Sequence, residues 1–305
     1  MKKDLVFIAS GGRTGTTFLG ERLHEVVDDC FSKHEPDVLA HDWDKATASI
    51  REFGAWHMIF GRLLGQSGLR VLGHQYLAGK LREDQLIERM KRQRETWHAS
   101  IDKPLIVESS WRYWMLAPVL QKAYPGSRLI GMVRDPREWI ESWRRHQPRR
   151  HTKSFQIWFP LGPLTPAQIG DHEWADQWDS FDQFSRLAWD WRTITSALAR
   201  AEDSGDPVRV YRFEELFKSG SNGKIEELVS YATFDGKYSF SNLDGFTASV
   251  RNASSGVRVS WQDWEPEKAA LVDAMCGDLM RRFGYGQEPE WRAKVEEAQA
   301  LAKAA

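Results

Sequence analysis

Eight residues near the start of the chain carry the clearest chemistry. Ser10-Gly11-Gly12-Arg13-Thr14-Gly15-Thr16-Thr17 follows an apolar run, Leu5 to Ala9, and precedes a helical pattern. A strand, a Gly/Thr-rich turn and a helix N-terminus, in that order, make an anion cradle. Glycine admits the backbone angles that turn N–H groups toward a ligand, and the first amides of a helix have no partner within it. The helix dipole favours negative charge there, and Arg13 adds a planar, permanently charged fork. A phosphate- or sulfate-like group is the expected ligand, with Gly12, Arg13, Thr14, Gly15, Thr16 and Thr17 around it. The nucleotide loop G-x-x-x-x-G-K-[ST] is not met, because Ser10 stands at its first glycine and Thr16 at its lysine. A small-molecule kinase needs that lysine and is the weaker alternative. The plainest alternative is an ordinary βα turn capped by a threonine.

A second cluster lies in Arg128-Leu-Ile-Gly-Met-Val-Arg134-Asp135-Pro136-Arg137 and the helix that follows. Arg134 ends a strand pattern, and Ser142, eight residues on, falls about two turns into the helix. An arginine at the C-terminal edge of a strand is placed for a ligand above a sheet; otherwise it pairs with a nearby carboxylate. A proton acceptor has four candidates. Glu35 follows the second strand, where Pro36 restricts the backbone. His34 and His74 have the side chain whose proton affinity best suits the task, and Glu108 ends another strand. For each, a salt bridge or a cap is the competing role. The run Arg144-Arg145-His146-Gln147-Pro148-Arg149-Arg150-His151-Thr152-Lys153 is a solvated face or a steering patch for an anionic acceptor.

Strand and helix patterns alternate around these residues. Strands are expected at Leu5–Ala9, near Cys30–His34, at Leu69–Gly73, Leu105–Val107, Arg128–Val133 and Val208–Tyr211. Helices are expected over 15–29, over 82–97 as a charged surface helix, over 111–123, from Pro136, over 172–201, and from Pro266 to a stop at Gly284. Residues 148–170 contain four prolines and read as a long acceptor-site flap. The alternation predicts an α/β, P-loop-like, three-layer fold, a mainly parallel central sheet flanked by helices. One domain over 1–305 is expected, with a helical tail from about 265.

Composition narrows the field. The chain has 305 residues, 42 basic and 43 acidic, a balance that argues against nucleic-acid partners. Cys30 and Cys276 are its two cysteines, too few for a disulfide framework or a cysteine zinc site. No metal is expected. No apolar run approaches the roughly 20 residues of a membrane span, so a cytoplasmic protein is expected. Of the 15 tryptophans, most are expected in the core and a few stacked on an acceptor.

These motifs together resemble those of sulfotransferases that use 3′-phosphoadenosine 5′-phosphosulfate (PAPS). The resemblance lies in Arg13-Thr14-Gly15-Thr16-Thr17, in Arg134 with Ser142, and in Val210-Tyr211-Arg212-Phe213-Glu214-Glu215-Leu216. It extends to Arg251-Asn252-Ala253-Ser254 with Trp261, and to Cys276 with Phe283-Gly284-Tyr285. His34-Glu35-Pro36 and the loop are most similar to the carbohydrate 6-O class. The resemblance implies that the loop holds the 5′-phosphosulfate, that Arg134 and Ser142 bind the 3′-phosphate, and that Phe213, Arg251 and Asn252 complete the PAPS site. It also implies sulfuryl transfer, without metal, to a hydroxyl of a glycan or small molecule, with Glu35 foremost as the base and Arg13 stabilising the leaving group. A catalytically inactive nucleotide-binding protein is the third reading.

Overall fold

The structure is a computed structural model that describes residues 2–38, 43–147, 164–218, 223–247 and 259–304. Five strands form a sheet in the order β2-β3-β1-β4-β5: β1 (Asp4–Ser10), β2 (Cys30–His34), β3 (Leu105–Ser110), β4 (Arg128–Val133) and β5 (Val208–Arg212). All four pairings are parallel. Strands covered on both faces read as unbroken apolar runs rather than alternating ones, and β1 does so because Val6, Phe7, Ile8 and Ala9 are all inaccessible. Leu5, Phe7 and Ala9 enter one core, and Val6 and Ile8 the other. The fold is the expected α/β three-layer arrangement.

The connections are mostly helical. They are α1 (Thr16–Val26), α2 (Trp43–Phe53), α3 (Leu69–Leu77), α4 (Glu83–Ser100), α5 (Pro136–His146), α6 (Gln183–Asp203), α7 (Gly223–Ala232), α8 (Pro266–Arg282) and α9 (Pro289–Ala304). From β1 the chain runs outward to β2 on one side, while β4 lies on the other. The loops after β1 and β4 therefore part above the sheet, and that crevice receives ligands in open α/β sheets. Among the described residues no helix is long and apolar enough to cross a membrane.

Three elements differ from expectation. Leu69–Gly73 belongs to α3, not to a strand; a short apolar run satisfies either period. Here the Leu69 N–H donates to Asp37 Oδ2 at 3.0 Å and starts a helix. Residues 111–123 break into Tyr113–Leu116 and Leu120–Ala123, because Pro118 between them has no N–H to continue the ladder. Residues 172–201 divide into His172–Ala175, Trp178–Ser180 and α6, which Asp182 starts afresh by accepting the Ser185 N–H at 2.8 Å. The charged helix α4 lies at the surface as expected, with Leu86, Met90, Arg94 and Trp97 on its buried face. Of the flap, residues 148–163 lie outside the described residues, and Ala167–Ile169 is a short 3₁₀ turn.

Candidate active site

The loop after β1 owes its shape to three backbone reversals. Gly12, Arg13 and Gly15 have φ of 77°, 58° and 87°, angles that cost an arginine more than a glycine. Neither glycine has room for a side chain. A Cβ on Gly12 would lie 2.7 Å from the Trp143 ring, and one on Gly15 would lie 2.5 Å from the Phe217 ring. The loop's carbonyls are held from outside by indole donors. Trp139 Nε1 donates to the Gly12 carbonyl at 2.9 Å and Trp143 Nε1 to the Gly11 carbonyl at 3.2 Å. Trp191 Nε1 donates in the same way to the Arg134 carbonyl at 2.8 Å. With these oxygens engaged on one side, Gly15 caps α1 without a side-chain acceptor, leaving the first amides of the helix to an external anion.

Arg13, Arg134 and Ser142 meet here. Arg13 Nε donates to Ser142 Oγ at 3.2 Å, and Arg134 Nη1 donates to the Arg13 carbonyl at 3.1 Å. Arg134 also donates to Glu138 Oε2 at 2.7 Å and lies 4.7 Å from the centre of the Phe213 ring. Burial raises the Glu138 pKa, but Arg134 and Lys218 outweigh it and hold the carboxyl at about 2. Arg134 Nε is buried without a partner among the described residues.

A cavity of about 780 Å³ opens on this cluster. Its wall includes Gly12, Arg13, Gly15, Thr16, Thr17, Arg134, Ser142 and Phe213 from the predicted set, and also His34 and Glu35. Trp111 and Trp261 complete part of its rim. Thr14 is not in this wall. It lines instead a small space with Trp139, Trp191 and Thr195. Arg251 and Asn252 lie outside the described residues.

The base candidates separate. Glu108 is buried against Arg94 Nε at 3.1 Å, His98 Nε2 at 2.6 Å and the Tyr113 hydroxyl at 2.9 Å, an internal network remote from the cavity wall. His74 sits on α3, also away from that wall. Burial first, then Arg112, Lys80 and Arg70, push its pKa down to about 4. His34 lines the cavity but is engaged at both nitrogens. Ser109 Oγ donates to the Thr16 carbonyl at 3.0 Å, so it accepts from His34 Nδ1 at 2.8 Å. Nε2 is then an acceptor for the Thr17 hydroxyl at 3.1 Å, which also directs that hydroxyl's hydrogen away from the loop's ligand. Burial lowers the His34 pKa to about 4. Glu35, at the left-handed φ of 44°, keeps its carboxyl in the wall with Oε1 accepting from Ser110 Oγ at 3.1 Å. Its pKa is raised, chiefly by burial, against Arg70, the Ser110 hydrogen bond and Arg112. A carboxylate whose proton affinity has been raised at a cavity wall is chemically suited to accept a proton.

The indole clamps, Glu138, Lys218, Arg70 and Arg112 were not singled out in the sequence. The tryptophans among them appear there only within a set of 15 expected mostly in the core.

No protein-family model and no curated protein matches the sequence. Among solved structures, the sulfotransferase domain of the Synechococcus PCC 7002 olefin synthase is similar, with a TM-score of 0.48, 16% identity, and 94% of this chain and 98% of that one covered. A sulfotransferase from Alicyclobacillus acidocaldarius has a TM-score of 0.45 at 16% identity, covering 96% and 100%. A mouse sulfotransferase complexed with PAP has 0.41 at 15% identity, covering 97% and 89%.

Proposed function

We propose that this chain is a sulfotransferase that moves the sulfuryl group of PAPS to a hydroxyl of a carbohydrate or other small molecule. One observation supports the reading above the rest. A single cavity gathers the loop at the α1 N-terminus and the cluster of Arg13, Arg134 and Ser142, with a carboxylate of raised proton affinity in the same wall. Two arginines beside a helix N-terminus suit a nucleotide with phosphates at both its 5′ and 3′ positions. The loop amides and Thr16 hold the 5′-phosphate, and Arg134 and Ser142 hold the 3′-phosphate. Phe213, which already carries the Arg134 guanidinium, borders that site.

In the reaction the acceptor oxygen forms a bond to sulfur as the bond from sulfur to the bridging oxygen of the 5′-phosphate breaks. Glu35 takes the acceptor's proton, and 3′-phosphoadenosine 5′-phosphate (PAP) leaves with the electron pair. Arg13 faces the oxygens on which negative charge grows, the arrangement that lowers a barrier most. Positioning the two reactants in line supplies the remainder. The test is label transfer from PAPS, with ATP carrying a labelled γ-phosphate in parallel, to a panel of sugars and phenols. Sulfated product with PAP release is expected. Phosphorylated product, or a protein that binds neither PAPS nor PAP, refutes the reading.

A further inference from the structure

We propose that Trp56, Ile59, Phe60, Leu63 and Leu64 form the surface through which two copies of this chain pair about a two-fold axis. None of the five lines the cavity, so the proposal stands apart from the sulfotransferase reading.

Local structure creates the stripe. Gly54, at a φ of 84°, follows α2, and the chain continues as a π turn (Trp56–Phe60) and a single α turn (Gly61–Leu63). Ala55, Phe60 and Gly61 all keep right-handed helical backbone, so the two turns make one rod. The π ladder closes from the Gly61 N–H to the Trp56 carbonyl. It sets Trp56 over Phe60, and the two rings stack with centres 6.2 Å apart. Such turns are rare and concentrate at functional sites. Positions i, i+3, i+4, i+7 and i+8 share one side of a helix. Counted from Trp56 they are the five residues named, all apolar and between 37% and 71% exposed.

The rod cannot turn this side inward, because the other side is already engaged. Met58 is buried, and a Cβ on Gly61 would lie 2.6 Å from Ser67 Oγ. Ser67 Oγ donates to the His57 carbonyl. The His57 ring stacks on Phe53 at 5.4 Å, and its Nε2 is 3.7 Å from Asp37 Oδ2.

Area and charge select the occupant. With about 200 Å² for a whole side chain of this size, the stripe shows roughly 550 Å² of apolar surface. An interface that is about 60% apolar and centred on it covers roughly 900 Å² of each partner, and a stable complex needs about 800 Å². A helix that lies on a membrane carries lysines and arginines along its polar face. From Gly54 to Gln66 the one formally charged residue is Arg62, and its Nε is turned toward Gly68, 3.6 Å from where a Cβ there would stand. A two-fold contact requires a surface that fits itself. An axis at Phe60 lays the rods antiparallel, with Trp56 of one copy on Leu64 of the other and no like charges facing.

Sedimentation equilibrium of the whole protein is expected to show a dimer at about 10 µM, within the affinity range of interfaces of this size. Phe60→Glu and Leu63→Glu place a charge that is exposed in the monomer and buried in the dimer. Each should keep the parent's circular dichroism and weaken the dimer at least tenfold. Cys30 and Cys276 are buried, so a short bismaleimide reads an introduced thiol. It should link Phe60→Cys into dimers and leave Leu301→Cys, exposed on α9, unlinked. A monomer at every concentration overturns the proposal, as does a dimer indifferent to both glutamates or linkage no greater at position 60 than at 301. A monomer that binds phosphatidylcholine–phosphatidylglycerol vesicles through these residues overturns it in favour of a membrane.

Discussion

Arg134→Ala separates two jobs that one side chain performs. Through Nη1 it holds the Arg13 carbonyl at 3.1 Å and so shapes the loop for any nucleotide. Through its buried Nε, and through Nη2 now on Glu138 at 2.7 Å, it has the donors for a phosphate. Glu138 keeps Lys218 at 2.7 Å when the arginine goes, so the variant does not strand a buried carboxylate. The lost loop bond is worth about 0.5–1.5 kcal/mol, and should weaken AMP roughly two- to tenfold. PAP has in addition the 3′-phosphate. A charge-assisted bond to it is worth about 1.5–3 kcal/mol, a further loss of roughly 10- to 150-fold. Calorimetry of AMP and PAP against the parent and the variant closes a thermodynamic cycle, whose cross-term isolates the 3′-phosphate. Equal losses for the two nucleotides would refute the assignment and leave Arg134 a purely structural anchor of the loop.

Glu35→Gln should retain PAP binding and lower sulfuryl transfer by roughly 10²–10⁴-fold; full activity there, with loss in His34→Ala, would move the base to His34. Because burial raises the Glu35 pKa and the base acts deprotonated, the acid limb of kcat/KM should lie above the ordinary carboxylate range. Arg112→Gln removes a cation that opposes the raise, so that limb should move to higher pH. Arg94→Met should cost about 3–5 kcal/mol of stability near neutral pH, the usual penalty for leaving buried charges uncompensated, since Asp37 and Glu108 both lose their cation. Both carboxyls sit below their ordinary pKa, with burial opposing and Arg94 the leading cause of the lowering. The stability they lend is present above the unfolded carboxylate pKa of about 4 and fades as pH falls through their folded values. Urea midpoints measured from neutral to acid pH should therefore converge for parent and variant, and an unchanged midpoint at neutral pH would contradict the network's role.

Much of the frame can be read from the chain alone, because the signals lie within single elements. The bounds of β4, the Pro136 start of α5 and the Gly284 stop after α8 follow from an apolar run, φ restriction and missing or permissive backbone groups. The loop after β1 is equally local, since glycine placement and the amides of one helix end create it. Arg134 stands between β4 and α5 and Ser142 within α5, so their spacing is visible in sequence. That they meet Arg13, 129 residues before Ser142, is not.

Tertiary structure decided whatever depends on a partner from elsewhere in the chain. Leu69–Gly73 has the composition of a buried strand, yet β3 takes the place beside β2 and Asp37 starts a helix there instead. By sequence Glu108 is expected at a strand end as Glu35 is, but it lies inside β3, where Arg94, His98 and Tyr113 close around it, while Glu35 follows β2 and is left in the cavity wall. Trp139, Trp143 and Trp191 look like core residues and are, but their N–H groups also hold the loop and strand-end carbonyls beside the ligand site. By itself the sequence determined which residues had the chemistry and on which elements they stand, because backbone preference and helix dipoles act over a few neighbours. Packing determined which of those residues remain available to a ligand, because a buried polar group is satisfied by whichever partner the fold brings within about 3 Å.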